Sequence, residues 1–176
     1  MSVLGIVDIF ADLRMMERCG IDMDKGMEFR HQMVQEYKES IMPLLRYLPW
    51  LEQNAGRTVS SIYGGQDIAS SVSFPVYDGT LMNFVREATK STLMDKNYKY
   101  VYTRNHIRNH EDERKIIVKA TWRDWDVLRG ILSYYILGGR IKGKLWSEAV
   151  EEQIFYLVLK QMKEIVEYWD KPINLQ

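Results

Sequence analysis

The stretch that decides the fold spans residues 122–168 and reads WRDWDVLRGILSYYILGGRIKGKLWSEAVEEQIFYLVLKQMKEIVEY. Thr121, just before this stretch, is a predicted helix N-cap. Asp124, three residues later, is an acid in the first turn, where the helix dipole favours it. Apolar side chains then recur at spacings of three and four, which predicts one buried helical face. They are Trp125, Leu128, Ile131, Leu132, Tyr135 and Ile136. Gly138 and Gly139 predict that this helix ends in a left-handed glycine cap.

A second helix is predicted after a basic, glycine-rich turn at residues 140–144. Ser147 is its expected N-cap, and Glu148 is favoured by the helix dipole. Its apolar stripe, interrupted only at Gln161, comprises Val150, Ile154, Leu157, Val158, Ile165 and Trp169. Asp170 and Pro172 are expected to end it. Because two such faces need cover, the sequence predicts that the two helices pack against each other.

Helical patterns also precede this region. Residues 2–18 predict a first helix whose apolar residues cover more than one face, which is typical of a buried helix or an oligomer contact. Residues 24–48 predict a longer helix that Pro43 should kink or split after Ser40. Asp78 and Thr80 offer N-caps for a helix that runs to about residue 94.

Strand-like alternation marks residues 58–63 and 72–77 on either side of a Gly-Gly turn, which predicts an antiparallel hairpin. A lone hairpin is marginal, so we expect it to lean on helices or to recruit residues 115–119 as a third strand. Tyr98, Tyr100 and Tyr102 also alternate, as in a half-buried strand. The predicted fold is mainly α. It is a single domain over 1–176 with five to seven helices and a small β-hairpin, in which 1–40 is a helical N-terminal extension and 121–168 a helix-turn-helix core.

The composition is that of a soluble globular protein, with 46% apolar and 27% charged residues. No apolar run reaches the roughly 18 residues that a membrane-spanning helix needs, so we expect no membrane partner. Asp8 and Asp12 and the lack of a basic leader argue against a signal peptide. Cys19 is the only cysteine, which excludes an internal disulfide and favours a reducing, cytoplasmic location.

Charge is unevenly distributed although the net charge is zero. Residues 86–144 carry 14 basic and 7 acidic side chains, whereas the segments on both sides are net acidic. A basic middle is the natural docking side for an anionic partner. The alternative is that the basic middle folds against the acidic ends of the same chain.

The basic turn nearly matches a phosphate-binding loop. Gly138, Gly143 and Lys144 fit its pattern, but Leu145 stands where Ser or Thr would hold magnesium, and the turn follows a helix instead of a strand. We therefore predict neither nucleotide hydrolysis nor a cofactor. Backbone N–H groups of the turn, beside Arg140, Lys142 and Lys144, would still suit a phosphate or carboxylate.

Enzyme chemistry has weaker support. His106 and His110 would share a helical face at metal-ligand spacing, but they lack the intervening Glu of zinc proteases. With Arg104 and Arg108 they would instead serve an RNA-cleaving or RNA-binding surface, to which Tyr98, Tyr100 and Tyr102 would add stacking platforms. An acidic cluster at Glu148, Glu151 and Glu152 is explained by the helix dipole alone.

The block from Leu132 to Leu159, with its Gly-Gly-Arg-Ile-Lys-Gly-Lys-Leu-Trp centre, resembles the C-terminal core of an uncharacterised bacterial and phage family, a domain of unknown function. The run Phe74-Pro75-Val76-Tyr77 followed by Phe84 is similar to its midsection. The resemblance is carried by residues 74–84 and 120–168. It implies a small, mostly helical prokaryotic fold and brings neither catalytic residues nor a substrate.

We therefore favour a non-enzymatic binding protein. Its contact surface would comprise Arg140, Lys142, Lys144, Arg104, Arg108, Tyr98 and Tyr102. The partner would be nucleic acid or a host protein that handles nucleic acid, and a phage-borne inhibitor of bacterial defence is one form of this hypothesis. The alternatives are a small metal-dependent hydrolase or nuclease using His106 and His110, and a structural homo-oligomer built through residues 2–18.

Overall fold

A computed structural model describes the chain over residues 23–63 and 74–170. Within these ranges the elements are α1 (Met23–Leu45), α2 (Leu48–Asn54), β1 (Ser60–Tyr63), β2 (Phe74–Tyr77), α3 (Gly79–Lys90), α4 (Tyr98–Arg104), α5 (His110–Lys119), α6 (Trp125–Gly138), α7 (Leu145–Glu151) and α8 (Ile154–Trp169). The mainly α fold class with a small antiparallel hairpin is confirmed. The helix predicted at 2–18, with its oligomer contact, lies outside the described residues.

Helix α6 forms the centre of the core, as its apolar periodicity predicted. All six residues of the predicted stripe are buried, and so are Gly130 and Ser133. A Cβ on Gly130 would lie 2.6 Å from Cγ1 of Val101, so the glycine allows α4 to approach α6 closely. Thr121 caps a short 3-10 turn, Trp122–Asp124, that leads into α6, and its N–H and hydroxyl donate to the Asp124 carboxylate at 2.8 and 3.0 Å.

Helix α1 continues through Pro43 to Leu45, so the split predicted after Ser40 is wrong. Because α1 ends two residues after the proline, the missing N–H affects only its last turn. The Arg46 side chain donates to the Pro43 carbonyl at 2.9 Å. Pro49 lies in the first turn of α2, where no helical N–H is required. Helix α1 packs against α6 and α8. At the contact with α6, Tyr37 stacks on Trp125 with ring centroids 4.1 Å apart.

The predicted hairpin forms between β1 and β2, with Ser60 opposite Tyr77 and Tyr63 opposite Phe74. The third strand proposed at residues 115–119 is wrong, because they belong to α5. Asn109 caps that helix by accepting from the Asp112 N–H at 2.9 Å, and three acids follow in the first turn, which favours a helix. The alternating tyrosines at 98–102 are likewise in a helix, α4.

The second helix of the deciding stretch is divided in two. Gln153 lies between α7 and α8 in the left-handed conformation, with φ +64°. Ser147 is not the N-cap; α7 begins at Leu145, and the buried Ser147 hydroxyl donates to the Lys144 carbonyl at 3.0 Å. Breaks here and at residues 46–47, together with the helices α4 and α5, account for the eight α-helices in the described ranges.

Helix α3 begins where it was predicted, but it ends at Lys90 and not near residue 94, because Ser91 adopts an extended conformation. Asp78 is its N-cap and accepts from the Thr80 N–H at 2.7 Å. Its predicted inward residues are all buried; they are Leu81, Phe84, Val85 and Ala88. A bilayer-spanning helix, which needs both length and apolarity, does not occur in residues 23–63 or 74–170.

Candidate anion-binding surface

The basic turn, residues 140–144, connects α6 to α7 and is exposed along its whole length. Ile141 at its tip is 85% exposed, the most exposed of the large apolar side chains in the described ranges. Arg140, Lys142 and Lys144 make no ion pair and no side-chain hydrogen bond with any residue that the structure describes. The turn therefore presents three uncompensated cations around one apolar side chain.

The backbone of the turn is closed onto the end of α6. The N–H groups of Ile141 and Lys142 donate to the Gly138 carbonyl at 3.0 and 2.9 Å, and the Arg140 N–H donates to the Leu137 carbonyl at 3.3 Å. Gly139 has φ −63°, so the predicted left-handed cap is wrong. Because the amides of Arg140, Ile141 and Lys142 are already used, the backbone cradle expected from the sequence lacks three of its donors, and an anion would be bound mainly by side chains.

Trp146 fixes the base of the turn. Its indole N–H donates to the Ile136 carbonyl at 3.2 Å, and its ring packs edge-on against Tyr77 with centroids 5.4 Å apart. A Cβ on Gly139 would overlap the indole ring. The glycine is thus required for close approach and not for an unusual backbone angle.

A groove of about 250 Å³ lies beside the turn, between α3 and Trp146. We call it the turn groove; its lining residues are Met82, Val85, Arg86, Thr89, Lys90, Arg140 and Trp146. None of these seven residues is acidic, and Arg86, Lys90 and Arg140 are exposed. The Arg86 guanidinium donates only to the neutral Asn83, at 3.3 Å. The groove therefore combines an apolar floor with a cationic rim.

The remaining predicted contact residues are not part of the turn groove. Arg104 and Arg108 are exposed at the end of α4 and in the loop that follows it, and no hydrogen bond or ion pair joins either to the basic turn within the described residues. Tyr98 packs edge-on against Tyr134. Tyr102 stacks on the same ring at 4.5 Å, so one face of it is covered.

A buried polar network occupies the space between α4, α5, α6 and α7. Glu113 is 3% exposed and accepts from the Tyr102 hydroxyl at 2.5 Å and the Tyr135 hydroxyl at 2.8 Å. Nδ1 of His110 lies 3.0 Å from Oε2 of Glu113, and Nε2 lies 2.9 Å from Oε1 of Glu148. Since both ring nitrogens face carboxylates, the protonated ring can donate at both positions, which favours its positively charged form.

The network shifts the pKa values of its members in directions that follow from these contacts. Burial alone would lower the pKa of His110, but its hydrogen bond to Glu113 and the charges of Glu113, Glu152 and Glu148 outweigh burial and raise the pKa. The pKa values of the Tyr102 and Tyr135 hydroxyls are raised by burial and by the neighbouring Glu113 charge, so both stay protonated donors.

The histidine pair proposed as a metal site does not form. His106 lies in the turn before α5 with φ +54°, so it does not share a helical face with His110. Both nitrogens of His110 are engaged by side chains. In the described ranges no group of three His, Cys, Asp or Glu side chains is arranged to hold a metal ion. The acidic cluster at 148–152 is divided as well, since Glu148 contacts His110 and Glu152 accepts from Arg114 at 2.6 Å.

The two interpretations of the basic middle segment apply to different residues. Arg114 and His110 pair with acids of the C-terminal segment, as the self-folding alternative requires. Arg46 binds Glu87 of α3 at 2.8 Å, so the one acid of that helix is also engaged. The basic turn has no such partner in the described ranges.

Sequence reasoning missed the α3 side of the turn groove. Met82, Arg86 and Lys90 recur at spacing four, so the sequence could have predicted that they share one outward helical face. Their position beside Arg140 depends on the packing of α3 against α6, so it could not be predicted from the sequence. The Tyr102, Tyr135 and Glu113 contacts likewise join side chains from three helices.

No protein-family model, curated protein or solved structure matches this chain. The resemblance to the uncharacterised bacterial and phage family therefore stays a prediction. What the chain binds must be inferred from its own surface chemistry.

Proposed function

We propose that this protein is a non-enzymatic binding protein whose basic turn docks an anionic macromolecule. The observation that carries the proposal is the exposure of Arg140, Lys142 and Lys144 without an acidic partner in the described part of the chain. Uncompensated cations on an exposed turn attract anions over several ångströms and speed their association.

The rim of the turn groove extends this positive surface. Arg86 and Lys90 of α3 face Arg140 across the groove, and no acid lines it. Because Glu87 is bound to Arg46 and Tyr47, it does not neutralise the rim. Five cations thus lie on two neighbouring elements, which favours a macromolecular anion over a single small one.

The surface is held rigidly on both sides, which supports a binding role. Trp146 ties α7 to the end of α6 through the Ile136 carbonyl, and His110 ties α7 to α5 through Glu148. A preformed surface loses little conformational entropy when a partner docks. The inhibitor form of this hypothesis stays a prediction.

The test is a charge-reversal triple variant, Arg140→Glu, Lys142→Glu and Lys144→Glu. Binding is measured by fluorescence anisotropy with three labelled probes: a 20-nucleotide single strand, a 20-base-pair duplex and a polyglutamate peptide. We expect the wild-type chain to bind at least one probe in a salt-dependent way. The variant should bind it about tenfold more weakly or worse, since three charge contacts are lost.

The matched control reverses three exposed cations elsewhere, Arg57, Lys119 and Lys160, and so makes the same change in net charge. We expect it to retain most of the affinity. Equal losses in the two triple variants would show that only net charge matters. Absence of binding to all three probes and to every acidic peptide would overturn the proposal.

A further inference from the structure

The turn groove and the tip of the basic turn differ in chemistry from a surface built only for polyanions. The groove floor is formed by Met82, Val85 and Trp146, and Ile141 projects from the turn with 85% of its surface exposed. The backbone of a duplex offers phosphates but nothing apolar, and Ile141 would reach apolar parts of a duplex only by wedging between base steps, which costs unstacking energy. A ligand that carries apolar side chains of its own would contact the groove floor and Ile141 without that cost.

Single-stranded nucleic acid fits these residues poorly. Sequence-tolerant binding of single strands uses open aromatic faces on which bases stack. Trp146 is instead part of the groove floor, with its indole N–H donated to the Ile136 carbonyl and its ring packed edge-on against Tyr77. The most exposed side chain is an isoleucine, which offers no such face.

We infer that the anionic partner is a protein surface on which acidic residues flank an apolar side chain, and that this side chain enters the turn groove. Acidic groups would pair with Arg86, Lys90 and Arg140 at the rim, and the apolar side chain would cover Met82 and Val85. Ile141 would pack against apolar side-chain atoms of the same segment. This inference rests on the proposed function and specifies its partner class.

Charge complementarity selects this occupant. An apolar segment alone would leave the three rim cations next to a desolvated surface without counter-charges, which is unfavourable. A purely acidic segment would leave the groove floor and Ile141 in water. An acidic and apolar segment satisfies both halves of the surface, in the way that interfaces surround an apolar anchor with a polar rim.

The experiment selects peptides from a displayed library of random 12-residue sequences against the full chain. We expect enriched peptides to combine several Asp or Glu residues with one aliphatic or aromatic residue. The strongest peptide is then labelled and titrated against wild type and Ile141→Ser. Because Ile141 is exposed, its replacement should leave folding intact and lower peptide affinity about tenfold or more through lost apolar burial.

Val118→Ser is the matched control, because Val118 is also an aliphatic side chain, 63% exposed, on α5. It should bind the peptide like wild type. The inference is overturned if enriched peptides lack the acidic and apolar combination, if Ile141→Ser binds like wild type, or if the 20-nucleotide strand or the duplex binds more tightly than the best peptide. In that last case the proposed function survives and only its partner class changes. If no peptide and no polyanion binds, both fail.

Discussion

The indole N–H of Trp146 donates to the carbonyl of Ile136, and this bond closes the base of the basic turn. It is possible because Gly139 has no side chain in the space that the indole ring occupies. Local sequence therefore specifies the shape of the proposed docking surface as well as its charge.

Replacing Gly139 with alanine should disrupt this arrangement. The added methyl group overlaps Trp146, so either the indole or the turn must move. We expect a loss of about 1–3 kcal/mol in the free energy of unfolding, the usual range for overpacking a well-packed site. Urea denaturation followed by far-UV circular dichroism measures it.

Gly79→Ala is the control for that substitution, because a Cβ there meets no atom within 4 Å. Alanine at this helical position should leave stability unchanged or raise it by up to about 1 kcal/mol. A destabilisation at Gly79 as large as that at Gly139 would contradict the steric explanation.

The hydroxyl of Tyr135 should contribute measurably to stability. Tyr135→Phe removes a donor to the buried carboxylate of Glu113 and should cost about 1–3 kcal/mol. Tyr77→Phe is the matched comparison, since the Tyr77 hydroxyl is buried without a hydrogen-bond partner in the described ranges. That substitution should be neutral or slightly stabilising. A larger loss in the free energy of unfolding for Tyr77→Phe than for Tyr135→Phe, measured by chemical denaturation, would refute the network as described.

The stabilising effect of His110 should depend on pH. Its pKa is raised in the folded state, so the charged ring stabilises the fold fully below the unfolded-state pKa of about 6.5. This contribution is lost as pH rises through the higher folded-state value. The stability gap between wild type and His110→Gln should therefore be larger at pH 6 than at pH 9, with His106→Gln as the control for an exposed histidine. A gap that widens with pH would contradict the assignment.

Position 153 should accept glycine at a lower cost in stability than a β-branched residue. Its φ of +64° lies in the left-handed region, which L side chains occupy at a cost of about 1–2 kcal/mol. We expect Gln153→Val to be less stable than Gln153→Gly by roughly that amount. Thermal unfolding of the two variants decides this, and equal stability would show that the α7–α8 break tolerates another conformation.

Apolar periodicity and capping residues were sufficient to predict α3, α6 and the hairpin. The helices were predictable because Leu81, Phe84, Leu128 and Ile131 each face the core at helical spacing. The hairpin was predictable from strand-like alternation on both sides of the Gly-Gly turn. The break at Gln153 was not predictable from that pattern, because the apolar stripe continues on both sides of it. The cationic turn was predictable from sequence, but its groove required the packing of Arg86 beside Arg140.

Protection of lysines from acetylation, read by mass spectrometry with and without the tightest-binding probe, tests the proposed docking surface most directly. We predict that the probe slows acetylation of Lys90, Lys142 and Lys144 several-fold and leaves Lys99 and Lys119, which are also exposed, unchanged. Protection of Lys99 and Lys119 with full reactivity at Lys142 and Lys144 would contradict it.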